Sequence, residues 1–223
     1  MERQLEPELM EDPEQARAYA EADFEEPHRR FVDLFQQQFP AVQIDGFVLD
    51  LGCGPGDISR RFALAYSSCR IHGIDGAAAM LQQGWNWLSR SPELQSRIEL
   101  LHQSLPAPSL PRPCYDVVIS NSLLHHLPDP SVLWTAVCQF ACRQAPVFVM
   151  DLRRPPDIET AQELVAIYAA QEPSILQRDF YHSLLAAFTA EEVASQLAAA
   201  GLEHLSVAEV GDRHLTVAGR MKG

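Results

Sequence analysis

The sequence predicts an α/β protein: a mostly parallel, doubly wound sheet with helices on both faces and one antiparallel strand. Three observations carry this. Val48-Leu49-Asp50-Leu51 reads as a buried strand that runs into Gly52-Cys53-Gly54-Pro55-Gly56 and then into a helical pattern. Strand, glycine turn and helix in that order make a socket for a nucleotide-like ligand, because glycine lets backbone approach the ligand and the helix start offers free N–H groups. Short apolar runs then alternate with helical-period segments as far as Asp151, the pattern of parallel strands joined by crossover helices. Two strand-like runs near 203–210 and 214–219 close the chain around the turn Asp212-Arg213-His214, as a final hairpin would.

Composition narrows the class. With 223 residues, 47% of them hydrophobic, the chain can close one large core. The longest apolar runs, such as 145–150, are strand-length, which argues against a membrane span. The N-terminus lacks a signal peptide's apolar segment, so a cytoplasmic protein is expected. Five cysteines without paired spacing imply no disulfide framework and a reducing compartment, and Cys138 and Cys142 have no second pair with which to hold a metal. The net charge is −13, and much of it lies in residues 1–27, where ten acids face only Arg3 and Arg17. Such a surface repels phosphate backbones, so nucleic acid is not the expected partner. Residues 1–12 read as a solvated, partly frayed terminus.

Taken in order, a helix follows from Pro13, with Ala16, Tyr19, Ala20 and Phe24 at helical spacing until Pro27, and a second helix, 28–39, carries Phe31, Leu34 and Phe35 on one face. Residues 1–40 thus form an acidic segment and helices placed to cover the crevice of the main domain, 41–223. After the first strand and its helix, 69–75 is a strand ending in Asp75. There a carboxylate can accept both hydroxyls of a ribose. Gly76 opens the next helix, which carries Met80. Residues 97–101 form the third strand, 115–120 the fourth, leading into Asn121 and Ser122, and 147–151 the fifth. A capping box, Thr189-Ala190-Glu191-Glu192, starts a late helix that ends at Gly201.

Asp57 stands where a dinucleotide fingerprint would place its last glycine. With Asp50 ahead of the turn, the run resembles the first motif of class I S-adenosylmethionine-dependent methyltransferases, hydrophobic-L-D-x-G-x-G-x-G. The stretch from Asp116 through Leu124-His125-His126-Leu127 is similar to the fourth motif of small-molecule members, typified by the quinone-biosynthesis group. The two motifs span strands one to four in the right order. The resemblance implies a Rossmann-like, seven-stranded fold and S-adenosylmethionine as cofactor. It implies a cofactor site at Asp50, Gly52, Gly54, Gly56, Asp75, Gly76, Asn121 and Ser122. It further implies Met80 against the adenine and Ser104 with the Leu105 backbone where the family often has Asp. Tyr19 either lies near the reactive methyl or packs in the core. An Asn/Asp-Pro-Pro-aromatic run is absent after the fourth strand, which disfavours acceptors that are base amino groups or glutamine amides.

Methyl transfer needs orientation and a dry site, and a base only where the acceptor sheds a proton. His125 and His126 are the candidate catalytic residues; alternatively one caps the loop and the other packs beneath the cofactor. At the carboxyl edge of the sheet, Asp151 and Arg153 are candidate substrate contacts, unless Arg153 simply pairs with a nearby acid. The insertion 153–188 resembles an acceptor lid, and Tyr168, Tyr181 and His182 are its candidate contacts, with Arg178 and Asp179 beside them. A metal set drawn from His125, His126, His182 and His214 with Asp151 or Asp179 has no local ligand spacing, so no metal is expected. The reading is a methyltransferase acting on a small-molecule acceptor, with a homodimer left open. Its rivals are a non-catalytic S-adenosylmethionine-binding regulator, an NAD-dependent oxidoreductase and an RNA methyltransferase.

Overall fold

A computed structural model describes residues 1–6 and 9–223. Its sheet has seven strands: β1 (Phe47–Leu51), β2 (Arg70–Asp75), β3 (Ile98–His102), β4 (Val117–Asn121), β5 (Pro146–Leu152), β6 (Ser206–Val210) and β7 (His214–Arg220). They lie in the order β3-β2-β1-β4-β5-β7-β6, with β7 antiparallel to both neighbours and every other pairing parallel. The expected fold class holds. The order reverses between β1 and β4, and there, outside the carboxyl ends of the strands, such a sheet forms its ligand crevice.

Alternation along each strand divides the core in two. Val48, Ile71, Val117, Ile119, Phe148 and Met150 face one side. They pack against α2 (Glu25–Gln38), α3 (Asp57–Ala65), α4 (Ala78–Leu88) and the short α5 (Pro92–Gln95). Phe31 and Phe35 of α2 meet Phe148 edge to face, and Phe35 meets Phe62 in the same way. Leu49, Leu51, Val118, Val147, Val149 and Val217 face the other side, against α6 (Ser131–Phe140) and α9 (Ala190–Ala199). Strand β5 is buried along its whole length, as a strand covered on both faces must be.

Several boundaries differ from expectation. Pro27 does not end the first helix: α1 spans Pro13–Glu21, and Pro27 sits in the first turn of α2, where the missing N–H costs nothing. The polar stretch after α7 (Ile158–Tyr168) is a regular helix, α8 (Ser174–Ala186). The capping box at Thr189 and Glu192 forms as read. Cys114 and Cys142 are joined by a disulfide, against the expectation of none. Backbone pairing of Tyr115 with Phe140 and Cys142 brings the two together across 28 residues, a proximity that spacing does not reveal.

The larger correction concerns residues 1–6. They are docked rather than frayed. The Met1 amino group donates to Pro156 O and the Gln4 N–H to Leu185 O. The Arg3 guanidinium donates to the carbonyls of Ala186, His125 and Leu127, and stacks 3.9 Å over the Phe188 ring. An acidic composition favours solvation only until cationic and backbone partners are found, and here one arginine finds four. Among the described residues no helix is long and apolar enough to cross a membrane.

Candidate active site

A cavity of about 420 Å³ opens at the switch point of the sheet. One wall is the glycine turn. The N–H groups of Gly52 and Cys53 donate to Ile74 O, and the Gly54 N–H donates to Asp75 Oδ2 at 2.8 Å. The other oxygen of Asp75 accepts from the Ala77 N–H at the start of α4, so this carboxylate ties the turn to the neighbouring helix. Gly54 has φ +52°, and a Cβ there would stand 3.2 Å from Met80 Cε, filling the gap between turn and helix. Asp50 lies beneath, 1% exposed, accepting from the Ser59 hydroxyl at 2.6 Å. Burial pushes its carboxyl up to about 7. Asp57, which replaces a glycine of the dinucleotide pattern, is gripped by His28 and Arg61. Their pull outweighs its burial and holds it down at about 2. Ser122 closes β4 with φ +55°, left-handed strain at the cavity edge of the kind found at ligand sites.

The opposite wall is the short 3₁₀ turn Leu124–His126. Asp151, at the end of β5, accepts from the Leu124 and Leu152 N–H groups and lies 2.5 Å from His125 Nδ1. A carboxylate there fixes the proton on Nδ1 and leaves Nε2 as the lone-pair atom. Burial disfavours the charged ring, but Asp151 and Glu6 outweigh it, and the His125 pKa is raised. Glu6 arrives from the docked N-terminal segment. Its Oε1 is 3.5 Å from His125 Nε2 and 3.1 Å from His126 Nδ1, and its Oε2 accepts from the Ser183 hydroxyl. Burial raises the Glu6 carboxyl, yet the two histidines and Ser183 bring it below its ordinary value.

Of the residues singled out from sequence, Tyr19, Asp50, Gly52, Gly54, Asp75, Gly76, Met80, Ser104, Leu105, Asn121, Ser122, His125, His126 and Tyr168 line this cavity. Five do not. Gly56 caps α3 behind the turn. Asp151 is buried behind His125 and reaches the cavity only through that ring. Arg153 points to Glu209 and to the Asp212 carbonyl, the ion-pair alternative. Tyr181 and His182 lie off the cavity face of α8, because helical spacing turns Leu176, Phe180 and Ser183 inward instead. Sequence reasoning missed Leu9, Met10 and Phe24 as cavity residues and gave Arg213 and His214 to the closing turn, although both line the cavity; it also missed Glu6, which meets His125 and His126. Arg213 stacks 3.3 Å over the Tyr168 ring, whose hydroxyl donates to Asp212. Burial, with Arg213 alongside, pushes the His214 imidazole down to about 4.

A family model described as a methyltransferase domain matches residues 48–143, which contain both motifs. The ubiquinone biosynthesis O-methyltransferase of Bordetella pertussis is 31% identical over 159 residues, 70% of this chain and 61% of that protein. Residues 48–143 are a methyltransferase domain, and the chain is similar to class I S-adenosylmethionine-dependent methyltransferases. The malonyl-[acyl-carrier protein] O-methyltransferase of Legionella pneumophila is 32% identical over a shorter stretch, 35% of this chain and 26% of its own length. Solved methyltransferases share the fold at low identity. A SAM-dependent enzyme from Aquifex aeolicus aligns with a TM-score of 0.68 at 16% identity, covering 94% of this chain and 98% of that one. The plantazolicin methyltransferase BpumL, in complex with a pentazolic desmethylPZN analog and SAH, aligns at 0.70 and 14% identity, over 95% and 92% of the two chains. The chain spans about three-fifths of the length of the first curated relatives it matches.

Proposed function

We propose that the protein is an S-adenosylmethionine-dependent O-methyltransferase of a small-molecule acceptor. One observation carries the reading: the buried His125–Asp151 pair, with Nε2 of the ring turned away from Asp151 and toward Glu6, belongs to the wall facing the glycine turn in the same cavity. A hydroxyl acceptor must lose a proton as its oxygen is methylated, and a histidine oriented by a carboxylate is the group that takes one. The O-methyltransferase relatives support the choice of oxygen.

The residues present fit the cofactor. A side chain at Gly54 would occupy the space against Met80, and the carboxylate of Asp75, at the end of β2 and lining the cavity, keeps lone pairs beyond the two N–H groups it accepts from. Asp75 would hold the ribose hydroxyls, Met80 would pack on the adenine with Ser104 and Leu105 at its edge, and Gly52, Asn121 and Ser122 would border the amino acid portion. Bound there, S-adenosylmethionine supplies an electrophilic methyl group on a sulfonium. The chain's own part is then to place the acceptor oxygen, exclude water and hold the proton. That proton passes from the acceptor hydroxyl to His125 Nε2 while Asp151 stays ionised and stabilises the imidazolium. Tyr19 remains a neutral phenol, its pKa pushed up to about 12 by burial, and with Phe24 and Met10 it forms an apolar roof that keeps water out. The N-terminal segment and the region 153–188 act as the two halves of a cover, and Tyr168, Phe180 and Ser183 meet the acceptor.

Incubating the protein with S-adenosylmethionine and a panel of phenols, catechols and hydroxy acids tests this, with methylated products read by mass spectrometry. Product is expected from at least one hydroxylated acceptor, and H125N is expected to lower kcat by about 10²–10⁴-fold. Turnover of amines alone, or an unchanged rate in H125N, would contradict the oxygen acceptor and its base.

A further inference from the structure

We propose that Glu6, His125 and His126 form a binding site for one divalent transition-metal ion of the zinc type. The geometry comes first. His125 Nε2 and His126 Nδ1 stand 3.5 Å and 3.1 Å from the same carboxylate oxygen, Glu6 Oε1, and the three atoms all lie within 4.8 Å of one another. Corners of a tetrahedral site with bonds of about 2.0–2.1 Å stand about 3.3–3.4 Å apart. Two edges of the triangle, at 3.5 Å and 3.1 Å, are therefore already close to that length.

An independent observation concerns satisfaction. The Glu6 side chain is only 8% exposed, yet its Oε1 has no hydrogen-bond partner among the described residues, and neither has the buried Nδ1 of His126. The two atoms are close without being aligned as donor and acceptor. Buried polar atoms are rarely left so, and a shared cation satisfies both. The surroundings supply the rest. Metal-bound histidines usually give their second ring N–H to a carboxylate, and Asp151, itself held by two backbone N–H groups, occupies that position on His125. Two imidazoles and one carboxylate suit zinc and leave a fourth position open to the cavity. The third ligand depends on the docked N-terminal segment, so the site exists only while Arg3 and Gln4 hold their contacts.

His125 Nε2 is also the atom assigned the acceptor's proton, so cation and proton exclude each other. That consequence, and not the binding itself, rests on the proposed methyl transfer: the zinc-loaded protein is switched off.

Titration of the full chain with Co²⁺, followed by visible absorbance, tests the site. The expected result is a saturable ligand-field band of a four-coordinate nitrogen and oxygen site at one ion per chain, without a thiolate charge-transfer band, and displaced by zinc. E6Q and H126A are expected to weaken Co²⁺ binding at least about tenfold, and D151N, one shell further out, by about 10–100-fold. In the wild-type chain, ring-nitrogen NMR should show zinc shifting His125 and His126 together, a readout that needs no variant to fold. Lack of the band at millimolar Co²⁺, binding unchanged in both E6Q and H126A, or zinc shifts confined to other histidines would overturn the proposal. In the turnover assay zinc should abolish methyl transfer and EDTA restore it. Full activity of a zinc-saturated protein would overturn the exclusion. Absence of turnover with and without metal would instead count against the methyltransferase reading, leaving the cobalt result to stand by itself.

Discussion

Asp50 and Asp75 sit 25 positions apart, at the ends of adjacent parallel strands, and burial treats both in the same way. Asp75 finds two backbone N–H groups, and replacing it by alanine is expected to weaken cofactor binding by about 1–3 kcal/mol, measured by calorimetry. Asp50 has only the Ser59 hydroxyl, and its carboxyl is pushed up to about 7. The folded protein therefore holds this proton more tightly than the unfolded chain, whose aspartates titrate near pH 3.9. The stability it contributes is full below about pH 4 and is lost as the pH rises to about 7, an effect on the order of 4 kcal/mol for three pKa units. D50N keeps an acceptor for Ser59 but cannot ionise. Urea unfolding at pH 5 and pH 8.5 should show D50N gaining on the wild type as the pH rises, and parallel profiles would refute the assignment. Both acids were legible in the sequence because strand ends announce themselves by an apolar run that stops at a charge. Glu6 was not, since nothing local distinguishes it from nine other acids in residues 1–27. Only its contact with His125 and His126 across the fold does so.

Strands β1, β2, β4 and β5 were readable because each is a short apolar run between turns, and a strand buried on both faces has no other composition available. Helix α8 was not, because its apolar residues cover only one narrow stripe and its polar face looks like a loop. Reading it as part of a lid-like insertion, with no helical face assigned, put Tyr181 and His182 in the site in place of Phe180 and Ser183. The N-terminal segment was misread for a related reason: its order comes from Arg3 stacking on Phe188 and bonding to the 124–127 turn, not from any propensity of its own. R3A is expected to release it. Hydrogen exchange should then rise at least about tenfold in residues 1–6 and in the Leu124–Leu127 turn, while β1, β4 and β5 keep their protection. Equal protection in the variant would show that the segment is held by something other than Arg3.

At the scale of the whole molecule, one sheet organises two cores, and the ligand cavity lies where the strand order reverses. The disulfide between Cys114 and Cys142 lies at the other end of β4, where it closes a 28-residue separation around that strand and α6. Loop closure of this size is worth roughly 3.5 kcal/mol, so reduction should lower unfolding stability by up to that amount without moving the cavity residues. Urea unfolding with and without reductant measures it. The central claim is that the cavity between the glycine turn and the His125–Asp151 pair is a methyl-donor site. Calorimetric titration with S-adenosylmethionine, S-adenosylhomocysteine and NAD tests it most directly. Micromolar binding of the first two, weakened in D75A and absent for NAD, is the expected result. Binding of NAD alone, or equal affinity for S-adenosylmethionine in a folded D75A protein, would contradict the account.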